Sequence, residues 1–278
     1  MTAIDHLGQV GVLEPSKLAQ HLDNPNLLLI QVTSAEVFQQ AHIEGAILVT
    51  PQELVCGVPP ASGKLPSHEQ LTQLFRRIGL SAEKDIVLYD DEGGGWAGRL
   101  AWTLDIIGFS TWSYLDGGLH AWAAAGLDLK SGIPADPQAN PNLEFSLDFS
   151  VQASLQDVLD SLEDPNQAIL DVRSKEEHLG IKQVSQRSGR IPGAVNLDWL
   201  LLMDPQRNLR LHEDNLEQLA GLEVTNKRII THCQTHHRSG LSYMVGRLLD
   251  LNIRAYDGSW SEWGNLPDTP IENPLENR

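Results

Sequence analysis

The stretch of sequence that decides the fold is residues 227–249, KRIITHCQTHHRSGLSYMVGRLL. Its first six residues are rich in β-branched side chains and end in polar ones, a pattern typical of a buried strand. From Ser239 onward, apolar side chains recur at intervals of three and four residues, which predicts a helix. Cys233 is the first residue after the predicted strand. Because strand–helix–strand units form right-handed crossovers, this alternation predicts an α/β fold with a mostly parallel sheet.

The chain contains this pattern twice. Four segments of the first half recur in the same order in the second half, 141–148 residues further along. The matching segments are 27–33 with 168–173, 42–49 with 190–197, 85–90 with 228–233, and 115–122 with 256–263. Such a repeat predicts two tandem domains, each a mostly parallel sheet flanked by helices. We place the first domain at 1–130, a proline-containing extended linker at 131–147, and the second domain at 148–278.

The composition excludes several classes of protein. Acidic residues outnumber basic ones by 37 to 20, so we expect no binding to nucleic acid or to an anionic membrane. Two cysteines cannot form a disulfide framework or a cysteine-rich zinc site. No segment approaches the roughly 20 apolar residues that span a bilayer, and residues 1–8 lack the features of a signal peptide. We therefore expect a cytoplasmic protein, which we also expect to be a monomer.

Cys233 lies where parallel α/β sheets place their ligands, beyond the carboxyl end of a strand. The loop that follows consists of Gln234, Thr235, His236, His237 and Arg238. A loop this short can direct its N–H groups towards its own centre, and the helix start and the arginine add positive charge. Such surroundings lower the pKa of a cysteine from about 8.5 to roughly 3.5–7.5. We therefore predict that Cys233 is a nucleophile rather than an inert buried thiol.

The equivalent loop of the first repeat has different chemistry. The corresponding strand ends in Asp90, and the residues that follow are acidic and rich in glycine. This loop has neither a thiol nor a cation, so it cannot carry out the same covalent step. The sequence therefore predicts one active domain and one inactive domain, with Asp90 at the nucleophile position.

In combination, these motifs resemble the two-domain rhodanese-like sulfurtransferases, a family that includes thiosulfate and 3-mercaptopyruvate sulfurtransferases. The resemblance rests on residues 171–173 (Asp-Val-Arg), 189–196 (Gly-Arg-Ile-Pro-Gly-Ala-Val-Asn), 256–260 (Tyr-Asp-Gly-Ser-Trp) and the loop at Cys233. The loop itself is similar to that of the bacterial rhodaneses of the Azotobacter type. It differs from the commonest loops of the thiosulfate and mercaptopyruvate types, which leaves a 3-mercaptopyruvate-type activity as an alternative.

The resemblance implies a two-step sulfur transfer without a metal or an organic cofactor. A thiolate at Cys233 would take sulfur from a small anionic donor such as thiosulfate and hold it as a persulfide. The sulfur would then pass to cyanide or to a thiol such as thioredoxin, glutathione or dihydrolipoate. The loop residues 234–238 would hold the persulfide and the donor. Arg187 occupies roughly the position at which mercaptopyruvate-type enzymes hold a carboxylate, so we expect it to bind substrate.

Other residues receive structural interpretations or open ones. We expect Asp171 and Arg173 to pair and brace the sheet edge, as buried opposite charges do. Arg190 is a second arginine that could reach an anionic donor. Trp199 is interpreted as either a wall of the site or a core side chain. Cys56 has no activating neighbours in the sequence and is expected to be inert.

Three rival functions use the same residues. A cysteine phosphatase of this fold needs the spacing Cys-x5-Arg, whereas Cys233 and Arg238 are spaced Cys-x4-Arg. A metal site could draw on His232 and Cys233, but adjacent residues of a strand point to opposite faces, so we predict no metal. A non-catalytic rhodanese module would bind other proteins, and such modules usually lose the cysteine that this chain keeps.

Overall fold

The structure, a computed structural model, describes residues 7–134 and 137–275. The predictions about a signal peptide and about the linker fall partly on residues 1–6 and 135–136, which lie outside the described residues. In the described ranges no helix combines the length and the apolar character that crossing a bilayer requires.

The first half of the chain forms a five-stranded sheet in which every strand pair is parallel. The strands are β1 (Gly11–Leu13), β2 (Leu27–Val32), β3 (Ile47–Val49), β4 (Asp85–Asp90) and β5 (Trp112–Leu115), in the spatial order β1-β5-β4-β2-β3. The helices are α1 (Pro15–Leu18), α2 (Ala35–Gln40), α3 (His68–Arg77), α4 (Gly95–Ile106) and α5 (Gly118–Ala124). Five residues of β4 are buried, as expected for a central strand covered on both faces.

The second half repeats this plan with a smaller sheet. Its strands are β6 (Gln167–Asp171), β7 (Val195–Asn196), β8 (Met203–Asp204), β9 (Arg210–Leu211), β10 (Arg228–His232) and β11 (Ile253–Ala255). Four of them form a parallel sheet in the order β11-β10-β6-β7, and β8 and β9 form a separate antiparallel pair. The helices are α6 (Leu155–Ser161), α7 (Lys175–His178), α8 (Asn215–Gly221), α9 (Arg238–Leu248) and α10 (Ser259–Trp263). The predicted fold class, two mostly parallel sheets flanked by helices, is confirmed.

The two halves pack through equivalent helices, α4 from the first and α9 from the second. The helix backbones approach closely at two glycines: a Cβ on Gly98 would lie 2.2 Å from the carbonyl oxygen of Gly240. Further along, the buried carboxylate of Asp105 accepts hydrogen bonds from Tyr243 (2.6 Å) and Arg247 (3.0 Å). Because α4 and α9 each begin just after a strand-end loop, this packing brings the two loops at Asp90 and Cys233 to the same interface.

Candidate active site

Cys233 lies at the carboxyl end of β10, as predicted from the sequence, and its side chain is almost fully buried. Residues 233–238, called here the thiol loop, connect β10 to α9. The loop turns tightly because His236 adopts the left-handed backbone conformation, with φ of 57°. Four of the loop's side chains, those of Gln234, Thr235, His237 and Arg238, are partly exposed, so solvent reaches the loop around the buried sulfur.

The sulfur of Cys233 contacts a hydroxyl group that sequence reasoning missed. Ser239, in the first turn of α9, places its Oγ 3.5 Å from Sγ of Cys233. The same Oγ lies 2.7 Å from Nδ1 of His236, which is itself fully buried. The main-chain N–H of Cys233 donates to Oγ of Ser259 at 3.3 Å. The thiol is therefore buried among polar groups. The only signal for Ser239 in the sequence was its position at the predicted start of the helix, directly after the loop.

Burial raises the pKa of Cys233, but the charge of Arg238, the hydroxyl and N–H of Ser239 and the charge of His237 lower it by more. The net result is a pKa below the ordinary value for a thiol. Hydrogen bonds and a nearby cation both stabilise the charged form, which is why they outweigh the cost of desolvation. The loop therefore places a cation and hydrogen-bond donors beside the sulfur, and the role of Cys233 as a nucleophile stays a prediction.

The guanidinium of Arg238 forms an ion pair within the chain. Its two terminal nitrogens bind both carboxylate oxygens of Glu177 at 2.7 and 3.0 Å, and the side chain of Glu177 is only 4% exposed. Burial lowers the pKa of Arg238, but this ion pair and the charge of Cys233 raise it above its ordinary value. Glu177 therefore fixes the guanidinium near the thiol, where it acts as an anchored charge.

The first domain forms part of the wall around the thiol loop. The ring of His237 stacks on Trp96 with 4.5 Å between centroids, and its Nε2 pairs with the carboxylate of Glu92. Trp199 approaches the same ring edge-on at 5.4 Å, so it borders the site. Gly63 leaves no room for a side chain, because a Cβ there would lie 2.0 Å from the carbonyl oxygen of Thr235.

The loop of the first domain shows what occupies the same place when cysteine is absent. Oδ1 of Asp90 accepts hydrogen bonds from the N–H groups of residues 92, 93 and 94 at 2.8–3.2 Å. Oδ2 accepts those of residues 96 and 97, both at 3.0 Å. Burial and the charge of Glu92 raise the pKa of Asp90 to about 6, against the effect of these donors. One carboxylate therefore fills the centre of this loop.

Two other predicted substrate ligands have partners within the chain. The amide nitrogen of Gln234 donates to Oγ of Ser185 at 3.1 Å. The guanidinium of Arg187 donates to carbonyl oxygens of residues 263, 266, 267 and 269, and to the hydroxyl of Thr269. The donors of Arg187 thus hold the segment after α10, and its role towards an anionic donor stays a prediction.

The charged pair predicted beneath the site is present. Arg173 binds both carboxylate oxygens of Asp171 at 2.7 and 2.9 Å, and its guanidinium lies 4.2 Å from the ring centre of Trp260. Burial raises the pKa of Asp171, but the neighbouring charges of His232 and Arg173 hold it well below its ordinary value. The pair braces the end of β6 next to β10.

The remaining candidates lie apart from this chemistry. Arg190 pairs with Glu272 at 3.0 Å. Cys56 is partly exposed, and its sulfur lies 3.5 Å from the carbonyl oxygen of Ala61. Among residues 7–134 and 137–275, no group of three or more histidine, cysteine or acidic side chains is placed to hold a metal ion.

Comparison with known proteins agrees with this geometry. The rhodanese-like domain matches residues 14–125 and 154–266. The chain is 46% identical to the thiosulfate sulfurtransferase of Azotobacter vinelandii over 263 residues, 94% of this chain and 96% of that protein. It is 44% identical to the thiosulfate sulfurtransferase of Pseudomonas aeruginosa with the same coverage. Among solved structures, that of YnjE is similar with a TM-score of 0.83 at 20% identity, covering 96% of this chain and 70% of that one. The chain belongs to the rhodanese family, and it carries two copies of the family's domain.

Proposed function

We propose that the protein is a sulfurtransferase that takes the outer sulfur of thiosulfate, or of a related anionic donor, onto Cys233. The observation that carries this proposal is the polar, cation-flanked environment of a strand-end thiol whose pKa lies below the ordinary value. The similarity to two thiosulfate sulfurtransferases over nearly the whole chain supports thiosulfate as the donor.

The proposed reaction consists of two displacements at sulfur. In the first, the thiolate of Cys233 attacks the outer sulfur of thiosulfate, the S–S bond of thiosulfate breaks, and sulfite leaves with the electron pair. In the second, cyanide or a thiolate attacks the outer sulfur of the resulting persulfide, and the thiolate of Cys233 leaves. Each step conserves charge and needs no metal or organic cofactor. A persulfide anion remains in the loop between the two steps.

The loop of the first domain supports the idea that the thiol loop holds an anion. The five N–H groups that bind Asp90 correspond, 143 residues later, to those of residues 235, 236, 237, 239 and 240. The two loops also share a left-handed residue at the same position, Gly93 with φ of 94° and His236 with φ of 57°. A loop of this shape stabilises negative charge at its centre. In the second domain that charge would belong to the sulfur of Cys233.

Access to the buried sulfur favours small, protruding donors and acceptors. Residues 234, 235, 237 and 238 are partly exposed around it, whereas Cys233 itself is only 1% exposed. We therefore expect small atoms, such as the terminal sulfur of thiosulfate or the carbon of cyanide, to reach the sulfur of Cys233 more readily than a bulky group. A thiol acceptor such as thioredoxin, glutathione or dihydrolipoate would have to present its sulfur at the end of an extended segment.

The same geometry disfavours a phosphatase. Arginine frequently binds phosphate through two parallel N–H donors, and both terminal nitrogens of Arg238 already bind Glu177. A 3-mercaptopyruvate-type activity uses the same nucleophile and is distinguished only by the donor. A non-catalytic binding module would need no activated thiol.

Mass spectrometry of the intact protein tests the proposal. Incubation with thiosulfate should add about 32 Da, one sulfur atom, and subsequent cyanide should remove it. Cys56→Ser is the matched control and should gain the same mass, whereas Cys233→Ser should gain none. Absence of the gain in the wild type, or an equal gain in Cys233→Ser, would refute the proposal. Relative loading rates with thiosulfate and 3-mercaptopyruvate decide between the two donor types.

We also propose the organisation around this activity. Residues 1–130 form an inactive domain, 131–147 a linker and 148–278 the catalytic domain. The unpaired state of Cys56 and Cys233 agrees with a reducing compartment, and we propose the cytoplasm. Size-exclusion chromatography with light scattering tests the expected monomer.

A further inference from the structure

The inactive domain places a fully buried arginine next to the thiol loop. Arg99, in the second turn of α4, has 0% exposure and donates hydrogen bonds to the carbonyl oxygens of Gly63 (2.7 Å) and Leu54 (2.6 Å). Both terminal nitrogens thus bind carbonyl oxygens and not carboxylates, and among the described residues Nε has no hydrogen-bond partner. Burying a guanidinium in this way is costly unless a negative charge nearby compensates it.

Three contacts connect Arg99 to the thiol loop. Its guanidinium holds the carbonyl group of Gly63, and Gly63 packs against the carbonyl oxygen of Thr235 with no space for a side chain. The guanidinium also lies 4.8 Å from the ring centre of Trp102, and that ring packs edge-on against His236 at 4.5 Å. Finally, the main chain of Arg99 touches Gly240, which follows the Ser239 that contacts the sulfur.

Negative charges near Arg99 oppose the effect of its burial. Burial lowers the pKa of Arg99 to about 10, and the charges of Asp257, Cys233 and Cys56 oppose this shift. Asp257 supplies the largest of these opposing charges, and its carboxylate also accepts hydrogen bonds from the N–H of Leu65 and the amide of Gln152, both at 2.9 Å. The sulfur of Cys233 supplies the second, so the charge of Arg99 and that of the thiolate stabilise each other. The other charged or titratable groups around the thiol are of three kinds. His236, His237 and Arg238 lie on the loop itself. Glu92 and Glu177 pair with His237 and Arg238, and His232 precedes Cys233 and lies 3.9 Å from Asp171.

We propose that Arg99 is a positioning residue for sulfur transfer: it clamps the thiol loop from the inactive domain and supplies a buried positive charge that stabilises the anionic sulfur of Cys233. This inference rests on the proposed function of Cys233 as the sulfur-carrying nucleophile. The inference gives the inactive domain a part in the reaction, because Arg99 belongs to α4 of that domain and not to the catalytic domain.

The pH dependence of alkylation of Cys233 tests the inference. All measurements use a Cys56→Ser background, so that iodoacetamide reports on Cys233 alone. In Arg99→Met the midpoint of the alkylation profile should rise by about one unit, which is about tenfold less thiolate at a given pH below the midpoint. In Arg99→Lys, which keeps the charge, the rise should be less than half of that. Arg247→Met is the matched control, because it removes an arginine from the same α4–α9 interface but not from the loop.

Each result supports or overturns the inference. A folded Arg99→Met with an unchanged midpoint overturns it, as does a midpoint in Arg247→Met that rises equally. If Arg99→Met does not fold, Arg99→Gln, which keeps one donor for the carbonyl groups, is measured in its place. If neither neutral variant folds while Arg99→Lys does, the charge serves the fold and not the thiolate, and the inference fails. Failure of the proposed function is distinct, because it appears as an absence of sulfur loading in the parent protein.

Discussion

Replacing Ser239 with alanine should raise the pKa of Cys233 by about one unit. The hydroxyl of Ser239 lies 3.5 Å from the sulfur and is one of the groups that hold the pKa of this thiol down. A hydrogen bond to an ionised group contributes about 1.5–3 kcal/mol, which corresponds to about one to two pKa units. The main-chain N–H of residue 239 also stabilises the thiolate and survives the substitution, so the lower end of this range applies.

The rate of alkylation by iodoacetamide between pH 5 and 10 measures this shift, in a protein that also carries Cys56→Ser. Because only the thiolate reacts, the rate of Ser239→Ala should reach half its plateau about one pH unit above the parent. Ser242→Ala is the matched control: its hydroxyl lies one turn further along α9 and bonds to Thr231 at 2.6 Å, away from the sulfur. An unchanged midpoint in Ser239→Ala, or an equal rise in Ser242→Ala, would refute the assigned contact.

Three further predictions concern polar side chains that are hydrogen-bonded within the chain. Burial and the charge of Glu92 raise the pKa of Asp90 to about 6, so its ionisation costs stability as the pH rises from the unfolded pKa of about 4 to about 6. The free energy of unfolding of the wild type in urea should fall over this range relative to that of Asp90→Asn, and a constant difference would contradict this. Arg187→Met should lower the thermal midpoint of unfolding, because it releases the carbonyl groups after α10. If the role of Arg187 is structural, sulfur loading with thiosulfate should stay within about twofold of wild type, whereas a large loss of loading would support its role in binding substrate. The pKa of Asp171 in the fold lies below its unfolded value, so its contribution to stability is complete above the unfolded pKa of about 4 and is lost as the pH falls below it. The difference in free energy of unfolding between wild type and Asp171→Asn should therefore shrink on acidification, and a constant difference would contradict this.

The sequence was sufficient for the features that depend on neighbouring residues. The strand, loop and helix of residues 227–249 follow from local patterns, and the structure confirms them with β10 at Arg228–His232 and α9 at Arg238–Leu248. The pairing of Asp171 with Arg173 was likewise predictable, because two residues at one strand end have few other partners. The repeat was visible because both copies keep the same motifs in the same order.

The sequence could not place partners that are distant along the chain. Glu177 meets Arg238 across 61 residues, and it converts the predicted free cation into an anchored one. Arg187 bonds to carbonyl groups about 80 residues away, which no spacing in the sequence indicates. Carbonyl groups are present at every residue, so only the path of the chain decides which of them the guanidinium of Arg187 will meet.

The amino-acid sequence by itself determined that the chain is a duplicated parallel α/β protein. It also determined that the equivalent strands of the two repeats end in a carboxylate, Asp90, and a thiol, Cys233. Strand periodicity and residue type are local properties, which is why the sequence is sufficient for them. The tertiary structure alone decided how that thiol is surrounded. Gly98 and Gly240 let α4 and α9 approach closely, and this contact brings Glu92 and Trp96 of one domain against the thiol loop of the other. Electrostatic and packing interactions depend on distance in space, so the pairing of Arg238 with Glu177 beside the thiol, and that of His237 with Glu92, exist only in the folded chain.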